Sequence, residues 1–255
     1  MHKIIVIVLL SFSITIAKAE CTLGGIWCWP TQTTIKKNSI FLLTFYGLSQ
    51  NIVSQIGKKH SIYLRSGKQK LPLIITEIHK GEFELTQVLL KPSYELTGGL
   101  EYEIIIDSLS KYEHIDKWNT ETKKGETAKW IVNNDNDTGN PIWLELPKFN
   151  SKTMVEYGCG PAKWVNFSFR FSASSEILIK TTVKSLKTLT ETTYYLEKED
   201  NKIKIGHGMC SGAFHFDEGD NYEVTFSLMD QSGNFSTQNP KPTRFSKPSV
   251  ITQSE

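Results

Sequence analysis

Short apolar runs separated by polar turns dominate this chain, and few segments sustain a helical period. In the first half, residues 39–46 are apolar and rich in β-formers, and 60–65 alternate through Ile62 and Leu64. Residues 71–75 follow a glycine–lysine turn, with Pro72 marking a strand start or a sheet edge. Residues 76–90 alternate imperfectly, and 100–106 read as a buried strand. Residues 53–58 suit a short helical or turn connection. About seven strands over about 110 residues is the rhythm of a β-sandwich.

The second half keeps the same rhythm. Strands are expected at 164–171, 177–183, 192–198, 203–205, 213–216 and 222–229. Phe167, Phe169 and Phe171 alternate with Ser168 and Arg170, as a half-buried strand requires. Between the halves, 111–139 is the expected boundary, ending in a run from Asn133 to Pro141 that is too polar to bury and rich in turn formers. After Ser236 the chain turns polar, with Pro240, Pro242 and Pro248, so 240–255 read as a weakly ordered tail.

A repeated phrase ties the halves together. Gly99-Leu100-Glu101-Tyr102-Glu103-Ile104-Ile105-Ile106 returns 120 residues later as Gly219-Asp220-Asn221-Tyr222-Glu223-Val224-Thr225-Phe226. Each copy is a turn glycine, a tyrosine three residues on, and an apolar strand. The glycine relaxes the turn, the ring packs under the corner, and the hydroxyl reaches a nearby backbone group. Tyr102 and Tyr222 are therefore expected as structural corners, and Asp230 and Asn234 as groups that bond their own turn.

The strand opening at Tyr222 and its turn Asp230-Gln231-Ser232-Gly233-Asn234-Phe235-Ser236 resemble the closing hairpin of bacterial immunoglobulin-like and fibronectin type III-like domains. Leu90, Pro92, Leu96, Gly99 and Tyr102 are similar in spacing to a stretch of bacterial surface immunoglobulin-like domains. The first half lacks the inter-sheet cysteine pair of antibody-type domains. The resemblance implies an all-β chain of two tandem immunoglobulin-like antiparallel sandwiches, over 20–138 and 139–239. Such domains serve adhesion, spacing and accessory binding, so it implies no particular ligand.

The N-terminus reads as a targeting segment over 1–19. Lys3 precedes an apolar run over 4–16, and Ala17-Lys18-Ala19 supplies the small-x-small cleavage pattern. Cleavage would leave Glu20 first; a lipoprotein anchor on Cys21 is the competing reading, for which Glu20 is a poor neighbour. The 29 basic residues would fall to 27 with loss of Lys3 and Lys18, matching the 27 acidic ones. A neutral chain without a basic stripe lacks the footprint for nucleic acid or anionic lipid.

Export puts Cys21, Cys28, Cys159 and Cys210 in an oxidising compartment, where an even count favours disulfides. Of three pairings, local closure and the domain split favour Cys21–Cys28 and Cys159–Cys210. Were Cys159 and Cys210 reduced, they could form a zinc site with His207 and His215, or Cys210 with the two histidines could centre a metal-dependent exported enzyme. No Gly-x-Ser-x-Gly elbow, His-Glu-x-x-His helix or phosphate-cradling loop occurs, and no cofactor is implied. Of six tryptophans, Trp130, Trp143 and Trp164 are expected in cores. Trp27 and Trp29, on the N-terminal lead, are candidate ligand contacts, as stacking platforms for sugars or anchors for a protein. The sequence thus reads as an exported, secreted or periplasmic non-catalytic module for binding, adhesion or spacing. Its expected partner is a protein or glycan at the cell envelope, and the alternative is a carbohydrate- or surface-ligand-binding module using exposed tryptophans or an inter-domain groove.

Overall fold

The computed structural model describes residue 21 and residues 23–249; the export signal expected over 1–19 lies outside them. The first half contains β1 (Gly24–Trp29), β2 (Thr34–Ile35), β3 (Phe41–Gly47), α1 (Gln50–Val53), β4 (Ile62–Ser66), β5 (Gln69–Lys80), β6 (Leu85–Pro92), β7 (Glu101–Ile106), β8 (Ile115–Asn119), β9 (Lys124–Thr127) and β10 (Lys129–Val132). One sheet runs β2–β10–β7–β4–β5 and the other β5–β6–β3–β1–β8–β9. Residues 69–72 of β5 pair with β4 and residues 73–80 with β6, so one long strand serves both sheets. Pro72 stands at the changeover, where a missing N–H costs no ladder bond.

The second half contains β11 (Ile142–Tyr157), β12 (Gly160–Ser172), β13 (Ile177–Ser185), β14 (Glu191–Leu196), β15 (Lys202–His207), β16 (Asn221–Asp230) and β17 (Thr243–Ser246). Sheet β11–β12–β15 faces sheet β14–β13–β16–β17, and the chain changes sheet after β12, β14 and β15. This Greek-key exchange is the immunoglobulin-like arrangement. The fold is nearly all β, and among the described residues the ladders pair antiparallel except β1 with β8 and β2 with β10.

Period-two burial builds each core. Phe41, Leu43 and Phe45 of β3 pack with Leu64, Val88, Leu90 and Trp130 in the first. Val165, Phe167 and Phe169 of β12 pack with Ile179, Val224, Phe226 and Phe245 in the second. The corner tyrosines lie at the starts of β7 and β16. The Tyr222 hydroxyl donates to the Gly219 carbonyl at 3.2 Å, and the Tyr102 hydroxyl accepts from the Thr97 N–H at 3.3 Å. Asp230 accepts from the N–H groups of Ser232 and Asn234 at 2.8 and 2.9 Å.

Three expectations about organisation change. Residues 240–255 are not wholly a polar tail, because 243–246 form β17 on the open edge of β16 and Phe245 stacks on Tyr222. One buried aromatic and a free ladder edge order a strand that its flanking prolines had disguised. The boundary stretch 111–139 contains the β8–β9 hairpin and β10, leaving only 133–141 as a connection. Residues 213–216 form no strand, although Phe214 and Phe216 are buried.

The cysteine pairing is also corrected: Cys21 bonds to Cys210. Strand β1, at about 3.3 Å per residue, carries Cys28 away from Cys21 and turns it into the first core, 4% exposed. The β11–β12 hairpin carries Cys159 to its exposed tip, beyond the end of the β12–β15 ladder. The disulfide therefore ties the N-terminal lead to the second sandwich.

Between the cores lies a third apolar cluster, in which Trp29, Ile40, Leu42 and Leu89 meet Leu178, Tyr195 and Met229. Trp29 is 2% exposed there, so it is not available to a ligand. Gln87 of β6 reaches across to the outer edge of β14. Its amide donates to the Tyr195 carbonyl and accepts from the Tyr195 N–H, both at 2.9 Å. Asp137 in the connection accepts from Ser174 and Ser175, and its backbone bonds Asn38 and Asn234.

Two measurements check this account. Non-reducing peptide mapping should recover a Cys21–Cys210 linkage with Cys28 unlinked, and Cys21→Ser should lower stability by about 2–5 kcal/mol through the freed unfolded chain. Tyr222→Phe should cost roughly 1 kcal/mol in a urea melt, and an unchanged midpoint would contradict the corner bond.

Candidate functional site

The two halves meet along a seam that leaves a cleft of about 790 Å³ open on one side. Its position follows from the β8–β9 hairpin, which the chain inserts between β7 and β10. The hairpin crosses to the other sheet and adds β8 alongside β1, with Ile26 opposite Ile115 and Trp27 opposite Asp116. Trp118 and Thr120 form one rim with Thr31 and Gln32. The facing wall comes from the second sandwich: Trp164 and Phe171 of β12, Glu176 before β13, Tyr194 and Leu196 of β14, the turn from Glu197 to Glu199, and Lys204 of β15. Leu85 and residues 211–213 close the floor. A second cavity of about 450 Å³ adjoins it, lined by Trp27, Tyr46, Glu113, His114 and Asp116, and it shares Leu85 and Ser211.

The Thr31–Gln32 turn at the rim is held from both sides. Glu176 accepts from the Thr31 N–H at 2.9 Å, the Thr31 hydroxyl at 2.7 Å and the Gln32 N–H at 3.1 Å. Lys117, 1% exposed, donates to the Thr31 and Gln32 carbonyls, both at 3.2 Å, and pairs with Glu126 at 3.0 Å. A buried ammonium and a mostly covered carboxylate are tolerable here because each has several partners. Burial raises the Glu176 carboxyl above its ordinary range, against the pull of those hydrogen bonds. Glu197 reaches solvent through the cleft yet has protein around it, and this environment, with the charge of Glu176, pushes it up to about 7.

Farther along the seam, burial works to raise Glu77, but bonds from Lys180 at 2.8 Å and His79 at 2.6 Å outweigh it and hold the carboxyl low. The Tyr195 hydroxyl also reaches Glu77 at 3.2 Å. These groups fasten β5 to β13 and β14.

The sequence-selected residues separate on folding. Trp27 and Trp118 stay 42% and 44% exposed and meet edge to face, with centroids 6.3 Å apart. The Trp27 ring lies over Gly125, where an added Cβ would come within 3.3 Å of it. Trp130 and Trp143 are buried, whereas Trp164 is half-buried with the Lys204 ammonium 4.5 Å above its ring. His207 and His215 do lie together, ring centroids 4.4 Å apart. His207 is 1% exposed, its Nδ1 lies 2.8 Å from the Gly208 carbonyl, and burial lowers its pKa. His215 pairs with Asp217.

Cys210, the third member of the imagined metal centre, is committed to Cys21. Among the described residues no group of three or more His, Cys, Asp and Glu side chains is placed to hold a metal. The histidines instead abut the bridge between the halves, where Phe83 and Gly212 exchange backbone bonds of 3.1 and 2.8 Å. Sequence reasoning missed Trp118, Glu176 and Glu197. Trp118 carried a usable signal, an indole in a polar segment; the carboxylates carried none.

The sequence matches no protein-family model and no curated protein. Among solved structures, a pullulanase from Anoxybacillus sp. LM18-11 aligns at 10% identity and a TM-score of 0.25, over 82% of this chain and 24% of that one. This chain thus spans about a quarter of the pullulanase. Tandem immunoglobulin repeats of Dlar align at 9% identity and 0.23, over 88% and 96% of the two chains. The adhesin InvE of Yersinia pseudotuberculosis aligns at 10% and 0.22, over 88% and 58%. At these scores none of them carries a functional argument.

The raised Glu197 carboxyl gives a signed prediction. Between its ordinary 4.5 and about 7 the folded chain holds a proton that the unfolded chain has released. This group therefore favours folding in acid, and that contribution is lost as pH rises through 7. Glu197→Gln should raise the urea midpoint at pH 8 and change it little below pH 4.5. An equal gain at both pH values would remove the cleft environment as its cause.

Proposed function

We propose that this chain is an exported, non-catalytic binding protein whose two sandwich domains, 20–138 and 139–239 extended by β17, act as one rigid body and present the seam cleft to a ligand at the cell envelope. The observation that carries this reading is the combination of a locked seam with an open cleft. The Gln87 clasp on Tyr195 and the Glu176 and Lys117 clamp on one turn fix the walls of the cleft. Such preorganisation suits a binding site, because wall positions fixed before contact reduce the ordering cost of association.

Export is supported by the Cys21–Cys210 disulfide, which persists in oxidising compartments. That bond also uses the sulfur a thioether lipid would occupy, which favours the cleaved signal over the anchored reading. No helix among the described residues is long and apolar enough to cross a membrane. The non-catalytic reading rests on what fills the nearest enzyme-like constellation: Cys210 bears a disulfide and His207 is packed against Phe83 and His215.

The test is co-sedimentation of the purified, oxidised protein with isolated cell envelopes of the source organism. Saturable binding is expected, without release of soluble envelope fragments. Thr120→Trp at the rim should reduce it while leaving the denaturation midpoint in place, and Ser211→Trp, in the lining shared by both cavities, should reduce it under conditions where the variant remains folded. Absence of saturable binding, or turnover of the envelope material, would overturn the proposal.

A further inference from the structure

Resting on that reading, we infer that the two adjoining cavities form one groove for a neutral oligosaccharide, with Trp27 and Trp118 as platforms for sugar rings and Glu197 as an acceptor of sugar hydroxyls. The first observation is the sorting of the tryptophans. Trp29, Trp130 and Trp143 are core residues at 1–3% exposure, and Trp164 is covered by Lys204. Trp27 and Trp118 alone among them are exposed, and they are neighbours on paired strands. Neither ring belongs to a buried core cluster.

The second observation is their place. Trp27 lines the smaller cavity and Trp118 the larger, and both cavities reach Leu85 and Ser211. An elongated ligand lying along the seam would pass both rings in turn. The larger cavity, about 790 Å³, falls in the range of roughly 300–1,000 Å³ that small-ligand sites occupy.

The third observation is charge. Glu113, Asp116 and Glu199 line the two cavities with Glu176 and Glu197, whose carboxyls are shifted toward the neutral form, against Lys198 and Lys204. Even with those two carboxyls neutral, the remaining three face two ammoniums, which disfavours sulfated, phosphorylated and uronic-acid chains, while carboxyl oxygens accept from hydroxyl donors. The C–H face of a pyranose is the apolar surface an indole stacks on. Indoles for ring faces and carboxylates for hydroxyl edges together match a neutral glycan and fit neither an anionic polymer nor a lipid tail. Glu176 already spends its oxygens on Thr31 and Gln32. Glu197 has no such commitment to that turn, so it takes the acceptor role.

The experiment titrates the oxidised full protein with defined gluco-, malto-, xylo- and chito-oligosaccharides, and with sulfated and sialylated counterparts, following indole fluorescence and calorimetry. At least one neutral series should bind, tightening with chain length up to the length of the groove, with anionic counterparts about tenfold weaker or worse. Trp27→Ala and Trp118→Ala should each weaken binding by about tenfold, measured under conditions where both variants remain fully folded. Glu197→Gln should weaken it by a smaller factor, and Trp164→Phe should have little effect. Failure of every neutral series, preference for anionic chains, or indifference to both tryptophan substitutions would overturn the assignment. Envelope binding separates the two levels of argument. If envelopes bind and periodate oxidation of their sugars leaves binding intact, the glycan assignment falls and the binding function stands. If protease treatment of the envelopes abolishes binding and periodate does not, the partner is a protein and the assignment falls in the same way. If neither envelopes nor oligosaccharides bind, both fall.

Discussion

The seam between the sandwiches is the constraint on which the rest of the structure depends, and its centre is the carboxylate of Glu176. A carboxylate taken out of water must find donors or stay protonated. Glu176 finds three on the Thr31–Gln32 turn of the opposite half. Lys117 then takes the carbonyls of the same turn, so one short stretch of backbone is satisfied from two directions. Removing either partner would leave the other half-satisfied in a covered site, which is the costly outcome. The Gln87 clasp repeats the logic with a neutral amide: it caps the outer edge of β14, where a bare ladder would otherwise invite another strand. Polar groups here set orientation, while the Trp29, Leu178 and Tyr195 cluster supplies the apolar burial.

The cleft is a by-product of that docking made useful by an insertion. The two sandwiches leave an open cleft where they meet. Here β8–β9 leaves the first sandwich between β7 and β10 and attaches to β1, raising a wall beside the cleft. The wall is steadied where it matters. Lys117 on β8 is the clamp on the rim turn, and Trp118 is the next residue. Residues that hold the seam and residues that face the cleft therefore alternate along one strand, as period-two geometry dictates. Fixing the seam fixes the rim.

Much of the architecture was legible because it is local. Strand runs such as 100–106 and 222–229 announce themselves by apolar periodicity, and the glycine-to-tyrosine spacing encodes a corner within four residues. What could not be read depends on the relative placement of the halves. Cys21 had no sequence signal pointing to Cys210, since only the docking brings them together. Trp29 looked exposed because it follows a lead segment, whereas the second half covers it with Leu178 and Tyr195. The β8–β9 hairpin was hidden among lysines, glutamates and threonines, which suit both a solvated hairpin and a linker. Strand β17 was hidden by proline, which breaks a central strand but tolerates the flanks of an edge.

The candidate site was the least legible part, for a reason general to grooves between domains. A pocket within one sandwich draws on residues whose spacing is fixed by strand period, so pattern can reveal it. A groove at a seam draws on Trp27, Trp118, Glu176 and Glu197, which share no period and lie on separate elements. Each alone has an ordinary explanation: a surface indole, a hairpin aromatic, a turn carboxylate. Their chemistry becomes specific only as a set, when two exposed rings lie edge to face across from carboxyl groups on the facing wall. That set exists because the seam is rigid. If the halves swung freely, Trp118 would lose its opposing wall, and the tryptophans would revert to scattered surface residues.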